Sequence, residues 1–309
     1  MSPRIRTLLT MLLVVPCLGP TRGIAGTTAT PSAAEIAGRV DANTPHFDLE
    51  TLYSAQQYVE GRALALERVQ DAPTDVDALL HLLRFSFEIA EPVTTDNSEL
   101  DKTLWYAQMV EWSEEAVRLA PHNPRAAFAR AVSKARLGTT QGILSSLVML
   151  ADIESDWIRA ANNPTPYATL KSEEIQPCDT YMVLGAMYRM VPEWWIIEAM
   201  TGTRGDLDKS LFWLRRADVC SPNRIETIKE LAAAELCYGL THDRPDLVEL
   251  GKARLGSLST LQPTKATQVT DKRHGQMLLE APSLACAYSR DGQADLDRSL
   301  VHWPSPNQP

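Results

Sequence analysis

The sequence predicts an all-α fold of antiparallel helix pairs stacked side by side. Three observations carry this. Apolar residues recur at steps of three and four through most of the chain, strict alternation over five or more residues is scarce, and Pro, Gly and capping residues separate the runs. The balance of 44% hydrophobic and 22% charged residues in 309 supplies enough material for a substantial core.

Taken in order, residues 1–25 open with Arg4 and Arg6, followed by an apolar run from Leu8 to Leu18 and then small residues. This is the three-part layout of a secretory signal peptide, too short to span a bilayer stably. An uncleaved anchor helix is the other reading. Pro16 stands where a lipidation signal wants a small residue, which argues against lipid attachment at Cys17. Residues 26–45, rich in Thr, Ala, Ser and Pro, read as a flexible leader. Helical runs then follow across a domain assigned to residues 46–295: 47–69, 75–90, 104–120, 125–138, 142–161, 180–190, 206–219, 224–240 and 246–258. Asp71, Ala72 and Pro73 close the first of these, "PHNP" at 121–124 closes the third and "SPN" at 221–223 closes the seventh. Residues 296–309 read as a disordered tail.

Self-similarity tests the repeat reading. Tyr181, Leu184, Gly185 and Tyr188 occupy the spacing of the first helix of a tetratricopeptide repeat, in which a small residue lets the second helix approach closely. After an insertion from Val191 to Gly205, "LDKSLFWLRRADVCSP" supplies that second helix with small Ser210, large Leu214, small Ala217 and terminating Pro222. "SEEAVRLAPHNP" repeats the ending, with Ala116 and Pro121 spaced like Ala217 and Pro222. The expected architecture is a right-handed superhelical solenoid of about four such pairs.

The segments "EEAVRLAPHNPRAAFARAVSKARLGTTQGILSSL", "YMVLGAMYRMVPEWW", "GDLDKSLFWLRRADVCSPN" and "RPDLVEL" are similar to the tetratricopeptide-like T component of tripartite ATP-independent periplasmic (TRAP) transporters. With "TDKRHGQMLLEAP" they also resemble the helical-repeat domain of the regulator of microtubule dynamics family. The likeness covers roughly residues 75–285. Resemblance to the T component implies an exported helical-repeat protein that assembles with a solute-binding protein and holds a small apolar or carboxylate ligand. It carries over no catalytic motif.

Composition and motifs exclude several chemistries. The formal charge is −9, and loss of Arg4, Arg6 and Arg22 with a cleaved signal would bring it to −12. Such a surface disfavours nucleic acid and anionic membranes. The six histidines form no HxxxH or HExxH, and no GxSxG, GxxxxGK[ST] or GxGxxG motif occurs, so no metal, no cofactor and no catalytic residue is expected. The acids of "TDNSELDK" (95–102) and "EWSEEA" (111–116) lack a calcium loop's glycine and final glutamate and read as solvated helix faces or helix N-terminal charge.

Export to the periplasm or beyond would let the cysteines pair. Cys178 begins one helix and Cys220 ends the next long one, so antiparallel packing brings them together; Cys237 with Cys286 is the second pairing. Four reduced, buried core thiols are the competing reading.

The function expected is non-catalytic binding or assembly: recognition of a protein partner or an apolar ligand on a concave face formed by first helices. Tyr181, Tyr188 and Arg189 would form that face, with Trp194 and Trp195 of the insertion as rim or lid. A transport receptor of the T-component kind and an exported hydrolase without a local motif are the alternatives.

Overall fold

The structure is a computed structural model that describes residues 38–92, 100–141, 147–163, 165, 168–170 and 176–290. The signal peptide, most of the leader and the tail from 296 lie outside these residues. Twelve α-helices make up the described fold: α1 (Phe47–Ser54), α2 (Tyr58–Asp71), α3 (Val76–Ala90), α4 (Lys102–Leu119), α5 (Pro124–Gln141), α6 (Leu150–Asn162), α7 (Cys178–Met190), α8 (Trp195–Thr201), α9 (Leu207–Cys220), α10 (Ile225–Thr241), α11 (Pro245–Ser257) and α12 (Ala266–Glu280). Among the described residues the fold is all-α apart from one two-residue parallel pairing, Gly38–Arg39 with Ala168–Thr169.

Several boundaries differ from the sequence reading. The run 47–69 is interrupted, because Gln56 adopts a left-handed backbone with φ 60° that no α-helix can continue through. The later "TDKRHGQMLLE" belongs to α12, and the insertion carries the short helix α8. Asp101, at the end of the acidic stretch 95–102, is the N-cap of α4: its carboxylate accepts from the backbone N–H of Thr103 and Leu104. Residues 95–99 lie outside the described residues.

Helices pack against their chain neighbours, most extensively α2 on α3, α4 on α5, α5 on α6, α7 on α9 and α10 on α11. The pair α7 and α9 is antiparallel: a disulfide joins Cys178 to Cys220 at one end, with Cα atoms 5.5 Å apart, and the Asp206 N–H donates to Tyr188 O at the other. Between these ends Gly185 lies so close to α9 that a Cβ would overlap the Leu214 side chain and come within 2.9 Å of Ser210 O. Ser210 Oγ donates to Gly185 O at 2.7 Å, so the small residue on each helix is what permits the approach. Gly239 and Gly251 do the same between α10 and α11. The second disulfide, Cys237–Cys286, staples the segment after α12 to α10. Closing loops of these lengths stabilises the fold by about 4 kcal/mol each on the chain-entropy account.

The last segment also returns to the first helices. Gln56 Nε2 donates to Thr264 O at 2.7 Å, Lys265 pairs with Glu88 at 3.1 Å, and Arg290 pairs with Glu91. The row of helices is thereby closed on itself by a seam of polar side chains. Among the described residues, no helix is long and apolar enough to cross a membrane.

Candidate functional site

The helices line a half-open cavity of about 330 Å³. Its wall comes chiefly from α3, α5, α7, α10 and α12, the helices that alternate along the chain with α2, α4, α6, α9 and α11 behind them. The apolar part is built from helix faces at steps of three and four: Leu80, Leu83 and Phe87 of α3, Phe128 and Val132 of α5, and Met182, Val183, Ala186 and Met190 of α7. Trp157 of α6 and Met109 of α4 complete it from behind.

The polar part is a belt of ion pairs. Arg84 pairs with Glu50 at 2.6 Å, Arg136 with Glu91 at 2.6 Å, and Arg224 with Asp179 at 2.5 Å. Arg125 reaches Asp77 at 3.3 Å. The belt is deepest where α10 meets α12. Lys229, 2% exposed, sits between Asp271 at 2.7 Å and Glu230 at 2.8 Å. Burial alone would strip its proton, but the Asp271 and Glu230 carboxylates win and hold its pKa well above the usual lysine value. Arg290 shares Asp271 and Glu91. Tyr288, pushed up to about 12 by burial, hydrogen-bonds through its hydroxyl to His274 Nδ1 at 3.0 Å. His274 is driven down to about 3 by burial and by the Lys229 charge, so it is neutral. His81 is likewise held well below its ordinary value by burial and by the Arg84 and Arg125 charges.

The residues expected to form a concave face are placed elsewhere. Tyr181 and Tyr188 are 2% exposed and Arg189 is 4% exposed, and none of the three lines the cavity. Tyr181 stacks on Trp213 of α9, with ring centroids 5.6 Å apart, and Tyr188 donates to Glu154 of α6. Arg189 ties the C-terminal segment down by donating to Ala285 O and Tyr288 O, both at 2.8 Å, while its guanidinium pairs with Glu230. Trp194 and Trp195 also lie off the cavity wall; they are 66% and 73% exposed, beside exposed Ile196 and Met200, so they form an outward apolar patch. Helix α7 does face the cavity, but through the positions next to the aromatic pattern.

The residues that sequence reasoning missed fall into two kinds. Met182, Val183 and Ala186 carry no chemical signal of their own. Lys229 and Glu230 do carry one: Lys229 stands directly after Ile228 and Glu230 directly before the apolar stretch Leu231–Ala234, and a charge at a core position of a helix demands a partner. Among the described residues, no group of His, Cys, Asp and Glu is arranged to hold a metal ion. Compared with known protein families and with characterised proteins, the chain matches none.

Proposed function

We propose that this protein is an exported, non-catalytic binding protein that encloses a small, largely apolar ligand within a tetratricopeptide-like, right-handed superhelical array. The single observation that carries the reading is the cavity of about 330 Å³ with apolar walls from α3, α5 and α7, within the range of roughly 300–1,000 Å³ common for ligand sites. Two disulfides and the absence of a membrane-crossing helix among the described residues fit a periplasmic or secreted location. The resemblance to TRAP T components fits the same reading, with a solute-binding protein as the partner.

Filling the cavity tests it. Val132→Trp and Ala186→Trp each put an indole where the wall now has a small side chain. Titration calorimetry with butylbenzene should show binding to the parent protein and a loss of about tenfold or more in each variant, with helix content unchanged by circular dichroism. Equal binding by parent and variants would remove the cavity from the function.

A second reading, in which the protein partner docks outside the cavity, is favoured by the exposed Trp194, Trp195, Ile196 and Met200 on and beside α8. Replacing both tryptophans by alanine should leave the melting temperature and helix content unchanged and weaken capture of a solute-binding protein. Unchanged capture would reject this surface.

A further inference from the structure

Within the ligand-binding reading proposed above, on which it rests, the class of occupant is narrowed by one wall residue, Glu226. The other acids of the wall, Glu88, Glu91, Asp179, Glu230 and Asp271, each have a lysine or arginine partner. The wall's lysines and arginines in turn each have a carboxylate. Among the described residues no cation pairs with Glu226. Its Oε1 accepts only from the neutral amide of Gln268, whose Nε2 donates at 3.2 Å, and its Oε2 is buried without a hydrogen bond. The Gln268 amide is fixed in that orientation, because its own oxygen accepts from the Thr264 N–H at 2.7 Å and from Thr264 Oγ1 at 3.1 Å.

Glu226 stands in the first turn of α10, where the helix dipole favours a carboxylate but supplies no counter-ion. That turn lies against the cavity side of α7: Arg224 reaches Asp179, and Thr227 Oγ1 lies 3.7 Å from Met182 Sδ. The carboxylate is therefore set beside an apolar wall with one acceptor unmatched, and a partly buried charge left in that state is costly. The Nε–H groups of Arg125, Arg136 and Arg290 are unbonded too, but those guanidiniums already have carboxylates beside them, so an uncharged oxygen suffices for each. Only Glu226 calls for a positive charge. Size limits the occupant as well: a cavity of about 150 Å³ holds one benzene ring, so 330 Å³ holds roughly a dozen non-hydrogen atoms.

We infer that the cavity takes a cationic amphiphile, an apolar body of about eight to ten carbons bearing an ammonium group, with the Glu226 carboxylate as its counter-ion. The apolar body lies along the faces of α3, α5 and α7, and the ammonium supplies Glu226 with the charge and the donor that the chain itself withholds.

The experiment compares four probes on the intact chain by titration calorimetry at about pH 7.5, where amines and carboxylates are both charged: octylamine, 1-octanol, octanoate and butylbenzene. Octylamine should bind about tenfold or more tightly than octanol or octanoate. The preference should persist in about 0.5 M sodium chloride, because a partly buried pair is screened far less than the diffuse field of an acidic surface. Glu226→Gln, which keeps the size of the side chain and removes its charge, should weaken octylamine about tenfold and leave butylbenzene within about twofold. Octanol or octanoate binding the parent protein as tightly as octylamine overturns the inference while leaving the cavity reading intact, and this comparison needs no variant to fold. A preference lost in salt, or an equal effect of Glu226→Gln on octylamine and butylbenzene, overturns it as well. Failure of all four probes to bind overturns the cavity reading itself.

Discussion

His274 shows how one buried residue makes stability depend on pH. Its pKa is about 3 in the folded protein against an ordinary 6.5, because burial and the Lys229 charge disfavour the imidazolium. The folded state therefore binds fewer protons than the unfolded chain between these values. The stability it contributes is complete above about pH 6.5, falls as the pH drops through that window, and stops falling near 3. Between pH 7 and 4.5 this residue alone should cost about 2–3 kcal/mol, measured as a lower urea midpoint. His274→Asn should flatten that dependence without abolishing it, since the neutral His81 acts in the same direction. A pH dependence unchanged in the variant would assign the acid sensitivity elsewhere.

At the scale of elements, the sequence predicts helices well where their apolar stripes are strong, as in α3, α7 and α10, and the Cys178–Cys220 disulfide follows from where the ends of two antiparallel helices must meet. It predicts helix α7 correctly but not which face does what. Tyr181, Leu184, Gly185 and Tyr188 stand out because a repeat constrains the contact between paired helices most tightly; the structure buries all four and puts Tyr181 and Gly185 against α9. The cavity-facing Met182, Val183 and Ala186 are ordinary apolar residues, and nothing local separates a wall from a core. The interruption at Gln56 was illegible for a different reason: a left-handed glutamine is held there by tertiary context, including its bond to Thr264 O. The tightness of the α7–α9 contact yields a sharp expectation. Gly185→Ala pushes a methyl group into Leu214 and Ser210 O and should destabilise the protein by about 1–3 kcal/mol, read as a melting temperature lower by several degrees. The same substitution at Gly256, where a Cβ would meet nothing within 4 Å, is the control and should be neutral or slightly stabilising.

For the whole molecule, the seam between α3 and the segment 264–290 decides whether the helices enclose a volume or merely follow one another. None of its partners are near in sequence: Lys265 and Glu88 are 177 positions apart, and Arg290 and Glu91 are 199 apart. No local pattern could have announced it. Replacing Arg290 by Met leaves Glu91 with Arg136 and Asp271 with Lys229, so the fold should survive while the seam weakens. Amide hydrogen exchange should then speed up in 264–290 and at the end of α3, and stay unchanged in α9 and α11. Uniformly faster exchange would mean that Arg290 supports the core rather than the seam.

The seam has a consequence for how such a protein can change over generations. A row of hairpins with two free ends can be lengthened or shortened by a whole unit, because each newcomer needs only one neighbour. Here the last unit must land on the first, so one hairpin more or fewer would carry Arg290 past Glu91 or leave it short. Length and curvature are therefore locked to each other.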